Sequence, residues 1–383
     1  MKSTYFERIL DLNATLKSKS AFLFGPRSTG KSTLIKHQLK PDFSYDLLDP
    51  QVCIPLIKSP GILFQELGHL QNQLVVIDEI QKIPALLDDV HRLIFHSKHR
   101  FLLTGSSARK IKRSGVNLLG GRARELFFFP LTSHEIPKFD LMRLLNHGGL
   151  PDIYLSNEPN DDLRAYVNLY LKEEIAAEAL TRNLEAFAQF FDAIALNNGE
   201  ELHFQNIAND TMMSAKTIQN YIQILEDTLV GFSVPAFKAS RRRKAIVRSK
   251  FFLFDLGVTN HLARRGRIEK GSELFGKAFE HFIALELRAA LRLLKCDHGL
   301  SYWRTKSGFE VDFILGKKIA IEVKTTENIT DKHLRGLRAL KEENMIERYV
   351  VIASVPRKRT TTDGIEILPW QSFLEQLWSG KLF

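Results

Sequence analysis

The chain has 383 residues, 44% hydrophobic and 26% charged, with a formal net charge of +10. These values exclude a disordered or low-complexity chain, allow two or three domains with real cores, and favour a polyanionic partner, nucleic acid before membrane. Cys53 and Cys296 lie far apart without CxxC or matching histidine spacing, which excludes a zinc-finger or disulfide scaffold, and no apolar run is long enough for a membrane span, so a cytoplasmic protein with no membrane partner is expected.

A strand-like run over 20–24 enters Gly25-Pro26-Arg27-Ser28-Thr29-Gly30-Lys31-Ser32-Thr33, and Leu34 to Leu39 read as helix. This spacing is the P-loop pattern: backbone N–H groups turn inward on a β-phosphate, Lys31 reaches the β/γ oxygens and Ser32 can hold Mg²⁺. A surface turn is the bland alternative, and ATP with Mg²⁺ the expected cofactor pair. Further strands are expected at 43–48, 73–78, 100–104 and 125–129, alternating with helical periods as in a three-layer α/β sheet. The run Leu74 to Ile77 ends in Asp78 and Glu79, which fit a metal-holding carboxylate and a water-orienting base.

Arg100 to Thr104 runs into Gly105-Ser106-Ser107, so Thr104 or Ser106 could sense a γ-phosphate, and a helix N-cap explains them equally well. Arg122, after Gly120-Gly121, fits either a phosphate contact in its own or a neighbouring subunit, or a solvated position.

These segments, with Gly148-Gly149-Leu150-Pro151, resemble the bacterial and archaeal AAA+-like ATPases whose C-terminal half holds a winged helix and a restriction-endonuclease-like domain. The resemblance implies a helical lid opened by the GGLP segment and makes a homo-oligomer plausible, with Arg122 then acting in trans. A helix-breaking turn accounts for the same glycines.

From 161 to 197 the periods are helical. Phe204 to Asn209, a break at Thr211-Met212-Met213-Ser214, and Lys216 to Leu225 have helix-turn-helix spacing, with Ser214 as cap and Lys216, Gln219, Asn220 and Gln223 outward. A strand over 229–237 precedes Arg241-Arg242-Arg243-Lys244, with Arg248 and Lys250 just beyond. That basic run suits a wing on DNA phosphates, with Lys216 on the helix beside it, or else a solvated loop or subunit contact.

Gly308 to Leu315 and Lys318 to Lys324 read as strands joined at Gly316-Lys317. Alternation puts Glu322 and Lys324 on one face, where Asp312 can meet them, and Asp312 and Glu322 could share a Mg²⁺. Glu280 occupies the apolar seam Gly276, Ile283, Leu287 of a preceding helix. The set resembles the PD-(D/E)XK nuclease core, although no proline precedes Asp312, and a buried salt-bridge cluster in an inactive nuclease-like fold is the alternative.

The expected fold is therefore α/β: a P-loop three-layer ATPase core (1–137), a helical lid (138–197), a winged helix (198–255) and a C-terminal restriction-endonuclease-like domain (256–383). The expected function is ATP hydrolysis controlling a Mg²⁺-dependent nuclease-like site on DNA, branched or single-stranded. The alternative is a nucleotide-switched branched-DNA motor or signalling ATPase with a silent nuclease fold.

Overall fold

The computed structural model describes residues 5–106, 121–171, 184–237 and 247–383, which fall into two units. The first unit comprises Met1–Phe129 with Asp227–Val230, and the second Pro130–Glu226 with Gly231–Phe383.

In the first unit, α1 (Leu12–Leu16) leads to β1 (Ser20–Phe24), α2 (Lys31–Gln38), β2 (Phe43–Asp46), α3 (Pro50–Lys58) and α4 (Ile62–Leu67). There follow β3 (Leu74–Asp78), α5 (Leu86–His96), β4 (Arg100–Gly105) and β5 (Ala123–Phe127). All neighbours are parallel and the strand order is β2-β3-β4-β1-β5. Alternation of side chains divides each central strand between two cores. Phe22, Phe24, Val75, Ile77, Phe101 and Leu103 join one with residues of α3 to α5. Ala21, Leu23, Val76 and Leu102 join the other with residues of α1 and α2. Burial on both faces is why these strands read as unbroken apolar runs.

The second unit begins with α6 (Leu141–His147), α7 (Pro151–Leu155), α8 (Pro159–Ala165) and a π-helical turn at Tyr166–Leu171. Next come α9 (Leu184–Leu196), α10 (Phe204–Thr211) and α11 (Ala215–Asp227). Phe187 and Phe190 pack on Tyr221, each with ring centroids 5.1 Å apart. Ser214 caps α11 by accepting the Thr217 N–H at 3.0 Å, and Lys216, Gln219, Asn220 and Gln223 are exposed. The expected strand over 229–237 is shorter: β6 (Gly231–Val234) pairs antiparallel with β7 (Lys250–Leu253). Pro235 lacks an N–H for that ladder, and beyond it the chain changes partner. Pro235 O accepts the Tyr302 N–H at 3.0 Å and Tyr302 O accepts the Phe237 N–H at 2.7 Å.

The remainder is α12 (Leu256–Leu262), α13 (Glu273–Leu293), β8 (Leu300–Arg304), β9 (Glu310–Leu315), β10 (Ile319–Val323) and α14 (Asp331–Lys341). It ends with β11 (Arg348–Ala353), β12 (Arg359–Thr360), β13 (Glu366–Pro369) and α15 (Trp370–Trp378). The strands form a mixed sheet in the order β12-β13-β11-β10-β9-β8. Leu334, Leu337 and Leu340 of α14 close its core over Trp303, Val311, Ala320 and Val351.

The Gly148-Gly149 segment has a structural cause inside this unit. Gly148 ends α6 at φ +79°, and a Cβ there would lie 2.1 Å from Asp255 Oδ1. Asp255 Oδ2 accepts the Gly149 N–H at 2.7 Å, while Asp255 Oδ1 accepts the Val258 N–H at 3.0 Å and caps α12. The turn is therefore locked by a buried carboxylate 106 residues away.

Burial pushes the Asp255 carboxyl up to about 6 despite its backbone donors. It pushes Glu286 up to about 7 although Ser133 and Trp378 donate to it. A carboxyl raised by folding contributes stability that is complete below its unfolded pKa and is lost as pH rises through its folded value. Stability of the second unit should thus fall between pH 5 and pH 8, on the order of 2 kcal/mol per group. Urea midpoints across that range check this, with Glu286→Gln expected to flatten the slope; a variant slope equal to wild type would contradict it.

Candidate active site

The P-loop sits where β1 ends and α2 begins. Gly30 adopts φ +91°, a left-handed conformation that glycine takes without steric penalty, and so turns the chain into α2. Lys31 is buried and its Nζ donates to Gly25 O at 2.7 Å and Pro26 O at 3.0 Å, so a carbonyl cradle holds the ammonium over the loop. The Thr29 hydroxyl donates to Pro26 O at 2.8 Å. Arg8, which carries no motif, braces the loop from outside. Its guanidinium donates to Thr29 O at 3.0 Å and Phe129 O at 2.7 Å and lies 4.0 Å above the Phe128 ring.

Strand order brings the second half of the site to the loop. Because β4 lies between β1 and β3, its C-terminal Thr104 falls between the P-loop and the acidic end of β3. The Thr104 hydroxyl donates to Asp78 Oδ1, and its oxygen accepts the Glu79 N–H at 3.1 Å. Ser32 Oγ lies 3.4 Å from Asp78 Oδ2, a hydroxyl and carboxylate converging as a Mg²⁺ site requires. Glu79 is buried at φ +61°, a strained left-handed conformation of the kind that collects at functional sites. Gln81 was not anticipated, although it lies only two residues beyond the Asp-Glu pair. Its Nε2 donates to Glu79 and, at 3.0 Å, to Ser106 Oγ. Arg27 approaches Glu79 at 3.9 Å. Thr33 is exposed on the first turn of α2.

Arg122 is placed otherwise than the reading in its own subunit requires. β5 runs parallel to β1 with Ala123 beside Ser20, so Arg122 lies at the N-terminal end of the sheet and the P-loop at the other. About 16 Å of strand separates them at 3.3 Å per residue. Arg122 is exposed and its guanidinium meets His91 on α5.

A second polar cluster lies in the other unit. The β9/β10 register sets Ile321 beside Phe313, so Glu322 faces Asp312 on the same side of the sheet. Asp312 Oδ2 accepts the Val323 N–H at 2.7 Å, and Lys324 Nζ donates to Glu322 Oε1 at 2.6 Å. Burial, then the Asp312 charge, drives the Glu322 pKa well above the usual carboxylate range. Glu280, half-buried on α13, is pushed up to about 7 by burial, which Lys250 opposes.

Lys250 was expected with the exposed basic run, but it is buried at the start of β7. It binds Glu280 at 3.1 Å and Glu310 at 2.8 Å. Arg241, Arg242, Arg243 and Lys244 lie outside the described residues. Among the described residues no group of three or more His, Cys, Asp or Glu side chains is arranged to hold a metal ion. Lys250 pairs with Glu280 and Glu310, and Lys324 with Glu322.

Fold and site together define an AAA-type P-loop ATPase domain in the first unit. Residues 17–137 match the AAA domain model, residues 138–269 a domain of unknown function, DUF8612, and residues 275–373 another, DUF4143. The chain is also similar to an uncharacterized protein of Haemophilus influenzae, 22% identical over 320 residues, covering 76% of this chain and 75% of that one. No helix among the described residues is long and apolar enough to cross a membrane.

Removing one partner of a buried ion pair leaves the others uncompensated, which typically costs about 3–5 kcal/mol. Lys250→Met should therefore destabilise the second unit by that order at neutral pH, with partial recovery toward pH 5: without Lys250 the Glu280 pKa rises further, so the folded variant holds a proton that the unfolded carboxyl takes up only as pH falls. Urea unfolding at the two pH values decides, and a neutral effect at both would remove Lys250 from the cluster's electrostatics.

Proposed function

We propose that the chain is an ATP-hydrolysing, nucleic-acid-binding protein whose nucleotide state sets its grip on DNA. The observation that carries the proposal is the Thr104 hydroxyl bridging Asp78 and the Glu79 backbone beside the P-loop. In this reading Lys31 leaves the Gly25 and Pro26 carbonyls for the β- and γ-phosphates, which the loop N–H groups also receive. Ser32 and Asp78 would hold Mg²⁺, which would offset phosphate charge. Glu79, steadied by Gln81 and Arg27, orients the attacking water. Arg122 serves a neighbouring copy in a homo-oligomer.

The exposed face of α11 with Lys216, the β6/β7 pair and the Arg241–Lys244 run form the proposed DNA surface, a winged helix within 198–255. The proposed helical lid spans 138–197 and the proposed nuclease-like domain 256–383, with 1–137 as the ATPase core. Asp312, Glu322, Lys324 and Glu280 are its proposed catalytic set. One observation favours the silent form of that domain, used as a grip: the Lys250 ammonium already lies among Glu280 and Glu310.

Glu79→Gln should retain ATP while slowing turnover by orders of magnitude, and Lys31→Ala should abolish turnover. With labelled forked and single-stranded DNA, the proposal predicts at least about a fivefold affinity difference between ATP-loaded Glu79→Gln and ADP-loaded wild type, on the scale of a modest coupling free energy. Equal affinities in both states, or no DNA binding, would contradict it. Cleavage products in Mg²⁺ that vanish in Asp312→Ala would restore the active-nuclease reading.

A further inference from the structure

Two clefts of the second unit share Asp140, Met142 and Lys270 and so lie side by side as two halves of a groove. One half, about 1160 Å³, is basic: Arg143, Arg264, Arg265, Arg267 and Lys270 line it against only Asp140 and Glu269. The other, about 1200 Å³, is aromatic. His134 stacks on Trp378 with ring centroids 5.7 Å apart, and half-buried Phe139 and Trp370 meet edge to face at 6.1 Å. Thr325, the residue after Lys324, also lines this half.

The basic wall is built rigidly. At the end of α12, Arg264 holds φ +51° and the Arg265 N–H donates to Asn260 O at 2.9 Å, a C-terminal cap in which glycine is the usual left-handed residue. Asn146 of α6 then clasps the loop: its Oδ1 accepts the Ile268 N–H at 2.8 Å and its Nδ2 donates to Ile268 O at 3.2 Å.

Arg264 pairs with Asp192 at 3.7 Å, whereas the other arginines of this wall are not spent on carboxylates among the described residues. Arg143 donates to the Tyr154 and Ser156 carbonyls at 2.6 Å each, which leaves its charge uncompensated. Among the described residues Arg265 and Arg267 have no carboxylate partner. Burial alone pushes the half-buried Arg265 guanidinium below its usual value, a cost that an incoming anion would remove.

We propose that this groove binds single-stranded nucleic acid, with backbone phosphates on Arg265, Arg267 and Lys270 and bases against Phe139 and Trp370, the strand running toward Thr325. A phosphate-tracking basic wall beside an aromatic platform is what single strands require and a duplex does not use. A free nucleotide would use only the basic half. The choice of nucleic acid rests on the proposed function, but no residue lining the groove belongs to α11.

The test uses the full chain and a labelled oligothymidylate, titrated at several salt concentrations. Arg265→Gln/Arg267→Gln should weaken binding about tenfold or more and flatten the log–log salt slope by about 1.4, at about 0.7 per lost single-strand phosphate contact. Basal ATP turnover and the thermal midpoint should stay at wild-type values. Trp370→Ala should weaken the strand about fivefold or more, with Trp370→Phe restoring most of it. Unchanged binding and slope in the arginine variant, with wild type binding normally, overturns the groove and leaves the proposed function standing. A wild type that binds no strand overturns the groove, and overturns the proposed function as well if it also fails to bind forked DNA. In a Lys31→Ala background, a loss of ATP binding without loss of the strand would assign the arginines to a free nucleotide and overturn the strand.

Discussion

The interposition of β4 between β1 and β3 is the constraint on which the ATPase site depends. A parallel sheet places all strand C-termini on one edge, so the P-loop after β1, Thr104 at the end of β4 and Asp78-Glu79 at the end of β3 share that edge in this lateral order. Thr104 is fully buried and ties both members of the acidic pair to β4, while Ser32 and Arg27 meet them from the loop. Without Thr104, Glu79 would hold its left-handed backbone with one fewer hydrogen bond, and Asp78 would lose a donor facing Ser32. The surrounding apolar cores supply the rigidity that lets a strained, buried glutamate persist.

The second unit solves a different electrostatic problem. Asp312, Glu322, Glu280 and Glu310 converge near the face of one sheet, and Lys250 and Lys324 are drawn in with them. Desolvation raises the Glu280 and Glu322 pKa values while the neighbouring lysines lower them, so the cluster is held together by pairs that are costly to break. Lys250 connects this to the neighbouring elements, because the β7 strand that carries it pairs with β6 directly after the two-helix segment. A groove whose aromatic half reaches Thr325 would deliver a strand beside Lys324, joining the proposed grip to the polar cluster.

The P-loop and the acidic end of β3 were legible in the sequence because each is an apolar run stopped by charged or glycine residues, a pattern that local chemistry alone produces. The helix pair at 204–227 was legible for the same reason, from the spacing of Ile218, Tyr221, Ile222 and Leu225. What escaped depends on pairing between distant segments. Lys250 looked like part of a solvated basic run, since nothing nearby reveals that the chain turns it toward Glu280 and Glu310. Arg122 lies beyond the reach of its own P-loop only because of the β1/β5 register. Nothing near Gly148 and Gly149 in the sequence announces that Asp255 holds them, and Arg8 braces the P-loop with no motif to announce it.

The most direct measurement of the account is steady-state ATP turnover of Thr104→Val beside wild type, together with ATP affinity of both. Valine keeps the shape of threonine and removes only the hydroxyl that joins Asp78 to the Glu79 backbone. The account predicts that turnover falls by about tenfold or more while ATP affinity changes by less than about threefold, since the lost bonds hold Asp78 and the Glu79 backbone, the proposed site of water orientation, and leave the P-loop in place. Turnover equal to wild type would contradict it, because the bridge made by β4 would then have no part in the chemistry.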